Sequence, residues 1–401
     1  MMQARASGRR SPPGMIRLAA AMLLTALLAG CSSAGAGKHG GAAGAPSIPT
    51  PLATSIQTSA GVWATLPMGR LDEPLNTFWQ LLFRPAGSES WSNQVQATAV
   101  ATNGGIVLAS APERTVLAGV RPSNLLTFSP LIATSDGGRS WSTGLLDDGL
   151  AARPDALAAG PAGRTLALVG AQGSAQVLSS VAGLSAWRTS TTTRALGSSL
   201  PGRACGLGSI TAVGYLAADA LIGASCSRAG VVGVFIERSG SWRLLAPAPP
   251  TALRNDRIEV LSLQGDGEGA RALLGVAGSG GVGLVAAWYT DGHWSSSTPL
   301  PLRASERVSS FGPASANGMF VLLARSAGAP QLAVASAPDA GWSELAPPPA
   351  GTATVAFGQS ASVDALAARE TVLTVWRLGA NAHAWVRRQT IDVQIEFGSS
   401  E

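Results

Sequence analysis

A carboxylate in a glycine-rich turn can bind a cation, shuttle a proton or brace a loop, and this chain has one conspicuous case. Thr134-Ser135-Asp136-Gly137-Gly138-Arg139-Ser140-Trp141 sets Asp136 among hydroxyl side chains and two glycines. Short polar side chains hydrogen-bond nearby backbone amides, and glycine permits positive φ, so the stretch reads as a braced turn. Other reactive groups are few. Histidine occurs only at His39, His293 and His383, and Lys38 is the single lysine. That leaves no Ser-His-Asp arrangement at recognisable spacing, no histidine-rich metal set and no Schiff-base or Ser–Lys mechanism. Gly278-Ser-Gly-Gly-Val-Gly283 lacks the lysine of a phosphate loop and reads as a hairpin turn. Gly265-Asp-Gly-Glu-Gly269 has too few carboxylates for a calcium loop and reads as a surface turn. The sequence therefore assigns no catalytic, metal-ligating or cofactor-binding residue, and no cofactor is expected.

Cys31, Cys205 and Cys226 are the only cysteines. Basic residues up to Arg17 precede the 11-residue apolar run Leu18–Leu28, the length of a signal core and too short to span a bilayer. Leu28-Ala29-Gly30-Cys31 resembles the lipobox of bacterial lipoproteins. The resemblance implies removal of a signal peptide (1–30), lipidation of Cys31, and anchoring of the exported protein to the outer face of the cell membrane. Residues 31–60 are expected to form the lipidated cysteine and a disordered tether, because Gly35 to about Thr58 is rich in Gly, Ala, Ser and Pro. In an exported chain Cys205 and Cys226, flanking the first hairpin of one repeat, are expected to pair; free buried thiols are the alternative.

Hydrophobic residues make up 46% and charged ones 13% of the 401 residues, with 49 Gly and 25 Pro, a balance suited to many short strands. Without the four arginines of residues 1–30 the net charge of +5 falls to +1. The remaining arginines are scattered among carboxylates, so no phosphate-tracking surface and no nucleic-acid partner is expected.

Residues 61–401 carry a repeat. Trp91, Trp141, Trp187, Trp242, Trp294, Trp342 and Trp385 are separated by 50, 46, 55, 52, 48 and 43 residues, each after a turn-forming cluster. Between Trp187 and Trp242 the segments 210–216, 220–225, 231–236 and 241–245 read as four strands, and the next unit repeats them. Four short antiparallel strands per unit predict an all-β propeller; paired sandwiches are the alternative. Seven blades are favoured over six. Gly61–Leu66 and 391–397 are left over as strands, which predicts a ring closed by a blade built from both termini.

Thr134–Trp141 resembles the Asp-box (BNR repeat) of sialidase-like propellers at Thr134, Asp136, Gly138, Ser140 and Trp141. The resemblance implies a fastener between third and fourth strands, in which Asp136 accepts from backbone amides and Trp141 packs between sheets. It says little about catalysis. Sialidases of that family need three arginines, a Tyr–Glu pair and an acid Asp; here the only tyrosines are Tyr215 and Tyr289, and Phe83-Arg84-Pro85 is only faintly similar to their Arg-Ile-Pro motif. The expected function is that of a membrane-anchored binding module for a surface protein or glycan, with no catalysis. A sialidase-like glycan hydrolase and an assembly or stability factor for a membrane complex are the alternatives.

Overall fold

The computed structural model describes residues 53–393 except 72–75, 95–103, 112–114, 121–128, 147–153, 171–173, 181–183, 185, 246–248, 250, 266, 268, 315–317, 339, 360 and 380, all within the unit 42–401. The lipobox, Cys31, the tether up to residue 52, the carboxylates Asp266 and Glu268 and the stretch from 394 lie outside the described residues.

Alternation of apolar and small polar residues between turns produces seven four-stranded antiparallel meanders: 53–93, 106–146, 154–192, 207–244, 257–296, 306–344 and 352–392. These are blades 1 to 7 of an all-β propeller. Each is built from contiguous chain, and the first strand of each is innermost. All seven spaced tryptophans stand within one residue of the start of an outer strand. Their rings lean on the preceding blade: Trp294 Nε1 donates to the Leu245 carbonyl at 2.9 Å and Trp385 Nε1 to that of Ala346 at 3.1 Å.

Apolar layers fill the spaces between blades. Trp63, fully buried in blade 1, stacks on Phe83 at 4.2 Å and takes the edge of Trp141 from blade 2 at 5.6 Å. Leu117 and Leu131 meet Leu157 and Leu178 between blades 2 and 3, and Phe320 stacks on Phe357 at 5.4 Å between blades 6 and 7. Interiors pack at crystal-like density, so truncating such a ring costs about 3–5 kcal/mol.

The helices interrupt this pattern once. Thr193–Ser198 and Leu200–Cys205 lie between blades 3 and 4, each capped by a hydroxyl: Thr192 accepts from the Ala195 amide and Ser199 from that of Gly202. Gly206 ends the second helix at φ 66°, and the Cys205–Cys226 disulfide ties that end to blade 4.

Three expectations need correction. The tether does not extend to residue 60, because Ala53–Thr58 is the inner strand of blade 1 and pairs with Gly61–Gly69. Its small polar composition suits a crowded axis, and Ile56 is its one bulky apolar side chain. The unit ending at Trp91 is a complete blade, in which Gly61–Gly69 is the second strand. The ends of the chain meet as two whole blades rather than sharing one, since Trp385–Asp392 completes blade 7.

A buried polar cluster holds that seam. Asp364, fully buried in blade 7, receives Arg377 at both oxygens, 2.8 and 3.2 Å, and the Trp91 indole N–H of blade 1 at 2.9 Å. Arg84 of blade 1 brings its Nε to 3.3 Å from Asp364, too poorly aligned for a hydrogen bond, and donates to Ser362 Oγ at 3.2 Å. Gln389 clamps the Trp91 backbone from both sides. Burial lowers the Arg84 pKa, whereas the hydrogen bond to Asp364 raises that of Arg377.

Candidate functional site

The inner strands surround an axial channel of about 1080 Å³ to which all seven blades contribute. Its wall is built from small residues because several strands converge there. At Gly160 a Cβ would meet the Tyr215 ring at 2.8 Å, and at Gly265 it would meet the Tyr215 carbonyl oxygen at 1.8 Å. Glycine at both places lets Tyr215 lie in the wall, where burial raises its pKa to about 12.

In blades 3 to 7 the inner strand bulges against its neighbour, at Asp155 in blade 3, at Gly208 and Thr211 in blade 4, and at Leu261, Ser309 and Ala353 in blades 5 to 7. A bulge re-aims side chains, and Thr211 and Leu261 line the channel. Thr211 Oγ1 also donates to the Val260 carbonyl at 2.5 Å, joining blades 4 and 5.

Blade 7 is recessed. The inner strand of blade 1 pairs in parallel with that of blade 6, Ala53 with Ser310 and Thr54 with Phe311. Ser55 Oγ donates to the Val355 carbonyl at 2.8 Å, and Ser310 and Thr354 hydroxyls lie 2.6 Å apart. Among the described residues blade 7 reaches the channel only through Gly358, Gln359 and Ala361. Seven blades thus enclose a channel walled mainly by six strands.

The channel has a charged end. Among its described lining residues the charged ones are Asp155, Glu259 and Arg271. Asp155 and Glu259 stand near the starts of the inner strands of blades 3 and 5, with Ser209 of blade 4 between them. Arg271 belongs to the opposite end, paired in register with Gln264. Burial pushes the Glu259 carboxyl up to about 7, opposed by Arg257 on the same strand. Among the described residues no hydrogen bond or ion pair holds that carboxylate. A half-buried carboxylate in a cavity can accept a cation or transfer a proton near neutral pH.

The residues singled out from the sequence lie elsewhere. Asp136 accepts from the amides of Arg139 and Ser140, each at 3.0 Å, and from the hydroxyls of Thr134 at 2.9 Å and Ser140 at 2.6 Å. These bonds hold its pKa well below the usual carboxylate range, with the Ser140 hydroxyl contributing most. Gly138, at φ 84°, could not carry a Cβ without meeting Gln94 at 2.8 Å and Trp63 at 3.0 Å. The turn joins the third and fourth strands of blade 2, and Trp141 is partly buried against Trp63. Tyr289 is buried against Trp294 at 5.3 Å, and Arg84 serves the seam. Among the described residues no group of three or more His, Cys, Asp or Glu could hold a metal ion.

Sequence reasoning passed over Glu259, Asp155 and Asp364. Glu259 hides in the alternating run Arg257-Ile-Glu-Val260, where a polar residue reads as facing solvent. Aligning the starts of the predicted inner strands would have brought it level with Asp155. Asp364 had a plainer signal, a carboxylate within an apolar strand.

No family model matches the sequence, and no curated protein matches it. Among solved structures the chain is similar to YCF48 bound to D1 peptide, at 14% identity over 80% of this chain and 94% of that one, with a TM-score of 0.41. It is also similar to the six-bladed fungal lectin of Aleuria aurantia, described for fucose recognition, at 12% identity over 86% and 96% with a TM-score of 0.41. A Lactobacillus plantarum protein aligns at 13% identity over 83% and 96%, with a TM-score of 0.47. What those proteins bind is a property of their own sites.

Proposed function

We propose that this chain is an exported propeller that binds a ligand or surface partner through its axial channel, tethered to the membrane by lipidated Cys31. The observation that carries the reading is the channel itself, whose volume lies at the upper end of that of ligand sites and whose mainly apolar wall has a few convergent polar groups. The Cys205–Cys226 disulfide supports an oxidising compartment, in keeping with the signal-like N-terminus. Two tests apply. Photo-crosslinking at the intact cell surface, followed by mass spectrometry, should capture a partner that Ser110→Trp and Ser262→Trp, placed to plug the channel, abolish; capture unaffected by the plugs would sink the channel reading. Cys31→Ala should abolish fatty-acid labelling, and persistent labelling would remove the anchor.

A second reading is glycan hydrolysis. It is favoured by two carboxylates at one end of the channel, one holding its proton near neutral pH. Turnover of fluorogenic glycosides that Glu259→Gln eliminates would establish it in place of simple binding.

A further inference from the structure

We infer that the Glu259 end of the channel is a subsite for the ammonium group of an organic amine whose apolar body lies along the axis. The inference rests on the channel being the binding site.

Three observations carry it. The first is shape. Among the small residues of the wall the partly exposed Val107, Leu261 and Phe311 face the cavity, so its body favours an apolar occupant over a fully hydroxylated one. The second is the absence of competition. Among the described residues nothing hydrogen-bonds to the Glu259 carboxylate, and the nearest cation acting on it, Arg257, is exposed on the same strand. The third is polarity along the axis. Asp155 shares the end where inner strands begin, and Arg271 belongs to the end where they finish, so the field along the channel draws a cationic head toward Glu259.

The neighbouring strands leave this arrangement undisturbed. Leu207–Leu216 brings no charge, Ala270–Gly278 brings only Arg271, and Asp219 lies at the far end of Asp219–Cys226 from Ser225, the residue paired with Glu259. A carboxylate desolvated without a partner weakens the fold, and an ammonium ion is the counterpart that relieves it by a charge-assisted hydrogen bond. No covalent step is involved; Glu259 would release its proton to solvent as the ammonium group binds.

The test uses a matched pair of probes, tryptamine and tryptophol, which share a ring and differ in an ammonium or a hydroxyl head. Calorimetric titration of the exported domain at about pH 7.5 should show tryptamine binding more tightly by about tenfold to a hundredfold, the range of a hydrogen bond to a charged group. Glu259→Gln should erase that preference and leave tryptophol unchanged, and Glu259→Asp should restore part of it, with circular dichroism checking the fold of each. Equal binding of the two probes to the wild type would overturn the inference while leaving the channel reading intact. Binding of neither would overturn it as well, and the crosslinking test with plugged variants would then judge the channel separately. A preference that survives in Glu259→Gln would place the ammonium elsewhere and refute the assignment.

Discussion

Glu259 should be a liability to the fold, and the size of that liability can be worked out. Burial lifts its pKa from an ordinary 4.5 to about 7. Between those values the native protein keeps a proton that the unfolded chain has released, so stability falls as pH rises through the window. Each unit is worth about 1.4 kcal/mol, which gives about 3 kcal/mol for the whole shift. The carboxylate still meets water in the channel, and screening reduces the expected value to about 2 kcal/mol. Glutamine keeps the shape of the neutral acid and cannot ionise. Glu259→Gln should therefore match the wild type near pH 4 and exceed it by about 2 kcal/mol near pH 8. Urea denaturation followed by tryptophan fluorescence at intervals across that range is the assay. A difference independent of pH, or a variant less stable than the wild type at pH 8, would refute the reasoning. A residue that costs stability at neutral pH without holding any element together is the kind retained for a ligand.

The seam, the disulfide and the braced turn make further predictions. Asp364→Ala leaves Arg84 buried without its anion and Arg377 with only the exposed Glu89, and should cost about 3–5 kcal/mol, read as a lower urea midpoint. Cys205→Ser with Cys226→Ser opens a loop of sequence separation 21 and should cost about 3 kcal/mol, a loss that reductant reproduces in the wild type. Asp136→Ala should lower the melting temperature at neutral pH. Because hydrogen bonds depress the Asp136 pKa, its contribution is present above the ordinary value and fades as the solution is acidified below it, so the two proteins should converge in acid.

The architecture was legible where chemistry repeats. Seven tryptophans after seven turns mark outer strands, because each ring must find the gap beside the preceding blade. Asp136 was legible for a similar reason, since its glycines and hydroxyls suit only a tight turn. Ala53–Thr58 was not, because at a crowded axis small polar residues replace the bulky apolar ones that advertise a strand elsewhere, and in Ala-Thr-Ser-Ile-Gln-Thr they resemble a linker. The way the ring closes was equally hidden. Arg84 and Asp364 are 280 positions apart in the chain, and the hairpin pairing of Asp364 with Arg377 gives no sign of Arg84. Glu259 was hidden by its alternation, which separates two faces of a strand but does not say that one of them looks into a channel.

The strand at Ala53–Thr58 also has a mechanical consequence. It is the first described segment of the chain, and it is joined to the second strand of its own blade and, side by side in parallel, to blade 6. Ladder hydrogen bonds lie across the strand direction. A pull on the chain ahead of Ala53, directed along that strand, loads both ladders together in shear instead of unzipping them one at a time. The same strand sets Thr54, Ile56 and Gln57 into the channel wall. A pull on the N-terminal side would thus act directly on a strand that also forms part of the channel wall.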